Sequence, residues 1–118
     1  MKLTNAEMWE AVQVLSETKE TGKLGYACAR NLRKILNESR EYMAKRDELL
    51  KKYGEDQGGG KYTIAPENLQ TFTNALNDYS QIEHDVDIMQ VPEDVFCSGT
   101  LTTKEMFSLA WMVREHSR

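Results

Sequence analysis

The sequence predicts an α+β, mainly α fold: a long antiparallel helical hairpin with two shorter helices and a minor two-stranded β-ribbon. Three observations carry that expectation. From Gly25 to Tyr53 the chain has no proline and no interior glycine, while apolar residues return every three or four positions, the period of a helix. Leu69, Phe72, Leu76 and Tyr79 repeat the same spacing after Pro66, so a helix there has a stripe to lay antiparallel on the longer one. Ile82, His84, Val86 and Ile88 alternate with Glu83, Asp85 and Asp87, the period of a strand with one mostly apolar face.

The elements follow in order. Thr4 and Glu7 form a capping-box pair, and Met8, Val12 and Leu15 with Trp9 and Ala11 make a helix over about residues 5 to 17. The second helix spans 25 to 53. Ala29, Leu32, Leu36, Met43, Leu50 and Tyr53 form its stripe, with Ser39 and Arg46 at the two intervening positions of the series. A flanking row, Cys28, Ile35, Tyr42 and Leu49, recurs every seventh residue. Such a helix is about 43 Å long at ~1.5 Å per residue, and Glu41–Lys45, Asp47–Lys51 and Glu48–Lys52 are favourable i,i+4 pairs on its exposed side.

Gly54 to Gly60 reads as a turn, and Lys61 to Ile64 as a short strand. Pro66 opens the third helix, and residues 82 to 88 are expected to pair with 62 to 64 as the ribbon. An irregular stretch from Pro92 to Thr100 leads to a final helix from Thr102 or Thr103 to about Glu115, using Met106, Ala110, Val113, Phe107 and Trp111. The start of that helix, Leu101-Thr102-Thr103-Lys104-Glu105-Met106-Phe107, echoes Leu3-Thr4-Asn5-Ala6-Glu7-Met8-Trp9. Capped starts of amphipathic helices generate such likeness without duplication.

Composition limits the function. A chain of 118 residues fits one domain, 1–118, with one modest core. At 40% hydrophobic and 29% charged residues it is too apolar for disorder. No run approaches the ~18 apolar residues of a membrane span. Met1 to Glu7 turns polar at once, which argues against secretion. The net charge of −4 disfavours nucleic-acid binding through a general basic field. Cys28 and Cys97, with no signal segment, read as reduced thiols. Two cysteines and two histidines, His84 and His116, are too few and too scattered for a metal centre. No cofactor or metal is expected.

The tempting sites fail on geometry. The Gly60-Lys61 pair has Glu55 where a phosphate loop needs its first glycine, and Tyr62 where it needs Ser or Thr. Strand alternation sends His84 to the face opposite Glu83, Asp85 and Asp87, so the four do not converge on a cation. Cys28 sits in an apolar row, where burial blunts a thiol, and there is no Gly-x-Ser-x-Gly elbow. The chain therefore reads as non-enzymatic. Two surfaces stay open for binding. Arg30, Arg33 and Lys34 share one helix face, with Tyr26 and Asn37 a turn to either side. Glu83, Asp85 and Asp87 form an acidic stripe. Apolar area left uncovered on the long helix would favour a homodimer or a partner helix.

The opening Met1-Lys2-Leu3-Thr4-Asn5, the run Tyr26-Ala27-Cys28-Ala29-Arg30-Asn31-Leu32-Arg33-Lys34-Ile35-Leu36, Leu49 to Glu55, the segment from Phe72 onward and Val86-Asp87-Ile88 together resemble a family of small phage and prophage proteins of Gram-positive bacteria, known as a domain of unknown function. The Gly58-Gly59-Gly60 tip departs from that family's more acidic turn. The resemblance implies a phage-encoded protein made in the bacterial host cytoplasm, with virion association open to it. On that basis the expected function is a protein-binding module, a virion- or tail-associated or assembly factor whose partner is a phage structural protein. An inhibitor of a host defence complex, its acidic stripe mimicking nucleic acid, is the alternative. A small nucleic-acid binder using Arg30, Arg33 and Lys34 is a third.

Overall fold

A computed structural model describes residues 1–114. The first helix, α1 (Asn5–Glu17), begins where the sequence places it. Glu7 N–H donates to Thr4 Oγ1 at 3.1 Å, and Thr4 N–H donates to Glu7 Oε1 at 2.9 Å, which satisfies two of the helix's orphan donors. A short strand, β1 (Lys2–Thr4), precedes it.

The long second helix is two helices, α2 (Gly22–Glu38) and α3 (Arg40–Tyr53), and it starts three residues earlier than its periodicity suggests. Ser39 separates them. Its buried hydroxyl donates to Ile35 O at 2.7 Å, alongside the backbone N–H bond to the same carbonyl at 2.8 Å. This back-bonding pulls the residue off helical geometry, to φ −92° and ψ 7°. The ladder resumes at once, with Met43 N–H donating to Ser39 O at 3.0 Å.

Residues 54 to 60 are not all turn. Gly54–Asp56 is a strand, β2, paired antiparallel with β3 (Tyr62–Ile64), and only the tip between them turns. Gly58, Gly59 and Gly60 all take positive φ there, which L side chains resist. The chain then enters α4 (Pro66–Ser80), which packs on α3 as the two arms of a helical hairpin.

The predicted ribbon between 82–88 and 62–64 does not form. The strand β4 (Glu83–Asp85) pairs instead with β1, antiparallel, in the register Lys2↔Asp85, Leu3↔His84, Thr4↔Glu83. The reason is length. The 15 residues of α4 carry the chain about 22 Å away from β3 at ~1.5 Å per residue, back to the end where the N-terminus lies. The alternation itself holds: Glu83, Asp85 and Asp87 are exposed, His84 is half-buried, Val86 is buried and Ile88 packs on the core. Ile82 is the exception, exposed just ahead of the strand while its carbonyl accepts from Asn5 N–H at 3.0 Å.

The last helix is also shorter than expected. After a single turn of helix, α5 (Glu93–Phe96), comes α6 (Thr103–Ser108) with its own capping box between Thr102 and Glu105. A 3₁₀ turn over Ala110–Met112 then tightens the winding and shifts the phase of the buried face. Leu109 and Met112 are fully buried in consequence, while Phe107 and Ala110 are exposed. Val113 leaves the helix to bridge Val91, with Arg114 N–H donating to Val91 O at 2.8 Å. The expected end at Glu115 lies outside the described residues.

Leu3, Met8, Leu15, Leu24, Ala27, Cys28, Ile35, Val86, Val91, Phe96, Leu109 and Met112 are among the residues of the main core, beneath α1 and α2. The α3–α4 hairpin buries Tyr42, Leu49 and Phe72, and the whole extends 51 × 27 × 23 Å. One polar residue is central to the main core. Asn31 of α2 is wholly buried; its Oδ1 accepts from Met89 N–H at 2.8 Å and its Nδ2 donates to Met89 O at 3.0 Å. The side chain thus imitates a strand neighbour for a segment that has none there. Asn31→Ala would orphan both Met89 groups and leave a cavity, so unfolding free energy should fall by about 2–4 kcal/mol in chemical denaturation. Gly25 is a second fixed point, because a Cβ there would stand 2.5 Å from Glu20 O. Gly25→Ala should destabilise by about 1–3 kcal/mol despite alanine's better helix propensity, measurable in the same titration.

Candidate interaction surface

The side chains that can meet a partner are set by which row of the α2–α3 helices is buried. Cys28, Ile35, Tyr42 and Leu49 are all buried, so the flanking row, not the longer stripe, faces the core. Ala29 and Leu36, the latter 41% exposed, stand in solvent one column over, and Leu32, Met43 and Leu50 are half-buried. An open groove is lined by Ala29, Leu32, Arg33, Lys34, Leu36, Asn37 and Arg40. It has an apolar floor, three cations and no carboxylate. Arg33 and Lys34 pair with no acid among the described residues, and Arg40 donates only to the neutral Asn37 Oδ1, at 2.9 Å.

The structure divides the predicted surfaces differently. Arg30 and Asp87 join them: the guanidinium lies 3.1 Å from the carboxylate. Asp85 meets the N-terminal amine at 3.1 Å. These exposed pairs are worth little in stability, roughly 0–1 kcal/mol each, but they cancel much of the stripe's field. Glu83 alone of the three stays free of a cation among the described residues. On the inner side of the same strand, His84 Nδ1 lies 3.2 Å from Glu38 Oε1. Tyr26, 63% exposed, belongs to another groove with Lys23, Met89, Gln90, Pro92 and Arg114. Arg33, Lys34 and Asn37 are therefore the predicted residues that share one concave face. Sequence reasoning left out Arg40, although it lies seven residues after Arg33 and so in the same column.

A second groove lies between α1 and α6, lined by Trp9, Glu10, Gln13, Val14, Glu17, Thr102, Lys104, Glu105 and Ser108. Glu10 Oε1 accepts from Ser108 Oγ at 3.1 Å, and Glu105 is held by the capping box, so both carboxylates are positioned by neutral donors. The Arg46 guanidinium lies 4.1 Å over the Trp9 ring and fixes it from the α3 side. Phe107 stands 86% exposed on α6. The signal for this groove was present as Glu10, Gln13 and Glu17 at three- and four-residue steps on the polar side of α1.

Of the two thiols, Cys28 is buried and Cys97 exposed. Desolvation pushes the Cys28 thiol above its ordinary value, and a hydrogen bond from Thr18 only partly offsets this. Alkylation at neutral pH should therefore mark Cys97 well before Cys28, as peptide mass mapping over time would record. Among the described residues no cluster of three or more His, Cys, Asp or Glu is placed to hold a metal, and no helix is long and apolar enough to cross a membrane. Comparison with protein-family models, curated proteins and solved structures finds no match for this chain.

Proposed function

We propose that this chain is a non-enzymatic protein-binding module whose docking surface is the outer face of α2. One observation carries the reading: exposed Ala29 and Leu36, with half-buried Leu32 between them, form an apolar strip bordered by Arg33, Lys34 and Arg40, with no acid lining it. A surface of that kind suits an amphipathic helix with acidic flanks. The apolar strip supplies the desolvated centre of such an interface, and the cations set its register and partner choice. Overall net charge is −4, so the preference is local to this face and does not extend to nucleic acid in general.

The resemblance to phage and prophage proteins supplies the setting, a phage-infected bacterial cytoplasm, and makes a phage structural or assembly protein the partner. The alternative, an acidic nucleic-acid mimic built on Glu83, Asp85 and Asp87, has less to support it, because two of its three carboxylates already face cations of their own chain.

The test is co-sedimentation of the tagged chain with purified phage particles and assembly intermediates. Retention that falls with added salt, and falls about tenfold or more in Leu36→Asp, is the expected outcome. Retention unaffected by Leu36→Asp and by Arg33→Gln with Arg40→Gln would remove the α2 face from the reading. Circular dichroism of each variant should match the parent chain, since these three side chains lie on the exposed face.

A further inference from the structure

The two grooves of this molecule are opposite in charge and share no residue. We propose that the chain associates with itself head to tail, the α1 side of the α1–α6 groove of one copy docking on the α2 face of the next. The inference rests on the reading of α2 as a docking surface and adds a second copy of this chain to what that surface takes.

The spacing of the charges supports it. Across the α2–α3 junction, Arg33 of α2 and Arg40, the first residue of α3, are seven residues apart in one groove, with Leu36 three residues after the first and four before the second. On α1, Glu10 and Glu17 are seven apart, with Val14 four after the first and three before the second. The offsets coincide when the two helices run antiparallel. Leu36 then lies on Val14, Arg33 opposite Glu17 and Arg40 opposite Glu10. The two charge pairs would sit about 10 Å apart along the axis, at ~1.5 Å per residue. Parallel docking would align the charges but set Leu36 and Val14 one residue out of step. The outer side of α1, half-buried Val14 flanked by Glu10 and Glu17, thus offers an acid-flanked apolar contact to the α2 face. Glu105 adds a third carboxylate and Lys104 a single base to that groove, so the sign of the surface remains negative.

Because one copy offers both faces at once, the contact is heterologous. It closes into a ring or continues as a filament instead of stopping at two. An isologous dimer through α2 alone would instead bring Arg33, Lys34 and Arg40 against their own likeness, which like-charge repulsion disfavours.

Sedimentation velocity of the full chain at low salt tests this. The mean mass should rise with protein concentration and fall with added salt. Arg33→Gln with Arg40→Gln, and separately Glu10→Gln with Glu17→Gln, should each weaken association about tenfold or more. Mixing the two variants should restore a species of two copies and no larger, since only one intact acidic face and one intact basic face then meet. A wild-type chain that stays monomeric, either variant assembling as the wild type does, or a mixture that forms nothing would overturn the proposal. So would dimers retained by the Glu10→Gln, Glu17→Gln variant, which mean pairing through α2 alone. If self-association fails while Leu36→Asp still abolishes retention on phage particles, the docking face stands and its occupant is another protein.

Discussion

The buried amide of Asn31 holds the two halves of the main core together. The segment from Val86 to Val91 has strand neighbours only at its ends: Val86 N–H reaches Met1 O, and Val91 meets the Met112–Arg114 backbone. Between those points Met89 has no strand beside it, and the side chain of Asn31 satisfies both of its main-chain groups. A polar side chain in the core costs free energy unless every hydrogen-bonding group is matched, and here donor and acceptor are matched by one residue. The arrangement seats Val86, Ile88 and Val91 in the main core and puts Asp87 within reach of Arg30, the residue next to Asn31 on the same helix.

That commitment has a consequence for the surface. The inner face of α2 is used up by Asn31, Ala27, Cys28 and Ile35 against α1 and the 86–91 segment, and the same row continues along α3 as Tyr42 and Leu49 against α4. An amphipathic stripe wider than one neighbour can cover must leave a column over. In this chain the column holds Ala29 and Leu36, and the arginines on its border have no acid of their own chain to answer them among the described residues. The open apolar column of α2 is thus what its structural role leaves uncovered.

Local features were legible in the sequence. The capping boxes at Thr4/Glu7 and Thr102/Glu105, the start of α4 at Pro66 and the inward turn of His84 and Val86 each depend on interactions spanning a few residues. The echo between the two capped segments is a shared local geometry, and their downstream paths differ: α1 runs 13 residues, α6 only six. What escaped is what depends on distant parts of the chain. The partner of β4 is β1, because the length of α4 decides where the chain re-emerges. Ser39 looked like one more position in a stripe, and its hydroxyl bond to Ile35 O divides the helix there.

The sequence by itself determined the mainly helical class, the positions of the caps and the period of each apolar stripe, because these follow from hydrogen bonds and side-chain spacing within one or two turns. Tertiary structure decided which of two adjacent rows on the long helix is core and which is surface. Periodicity marks both rows as apolar; only the count and placement of neighbouring helices determines how much of that width is covered. It also decided that Arg30 and Asp87 neutralise one another, while Arg33, Lys34 and Arg40 remain gathered around an open apolar strip.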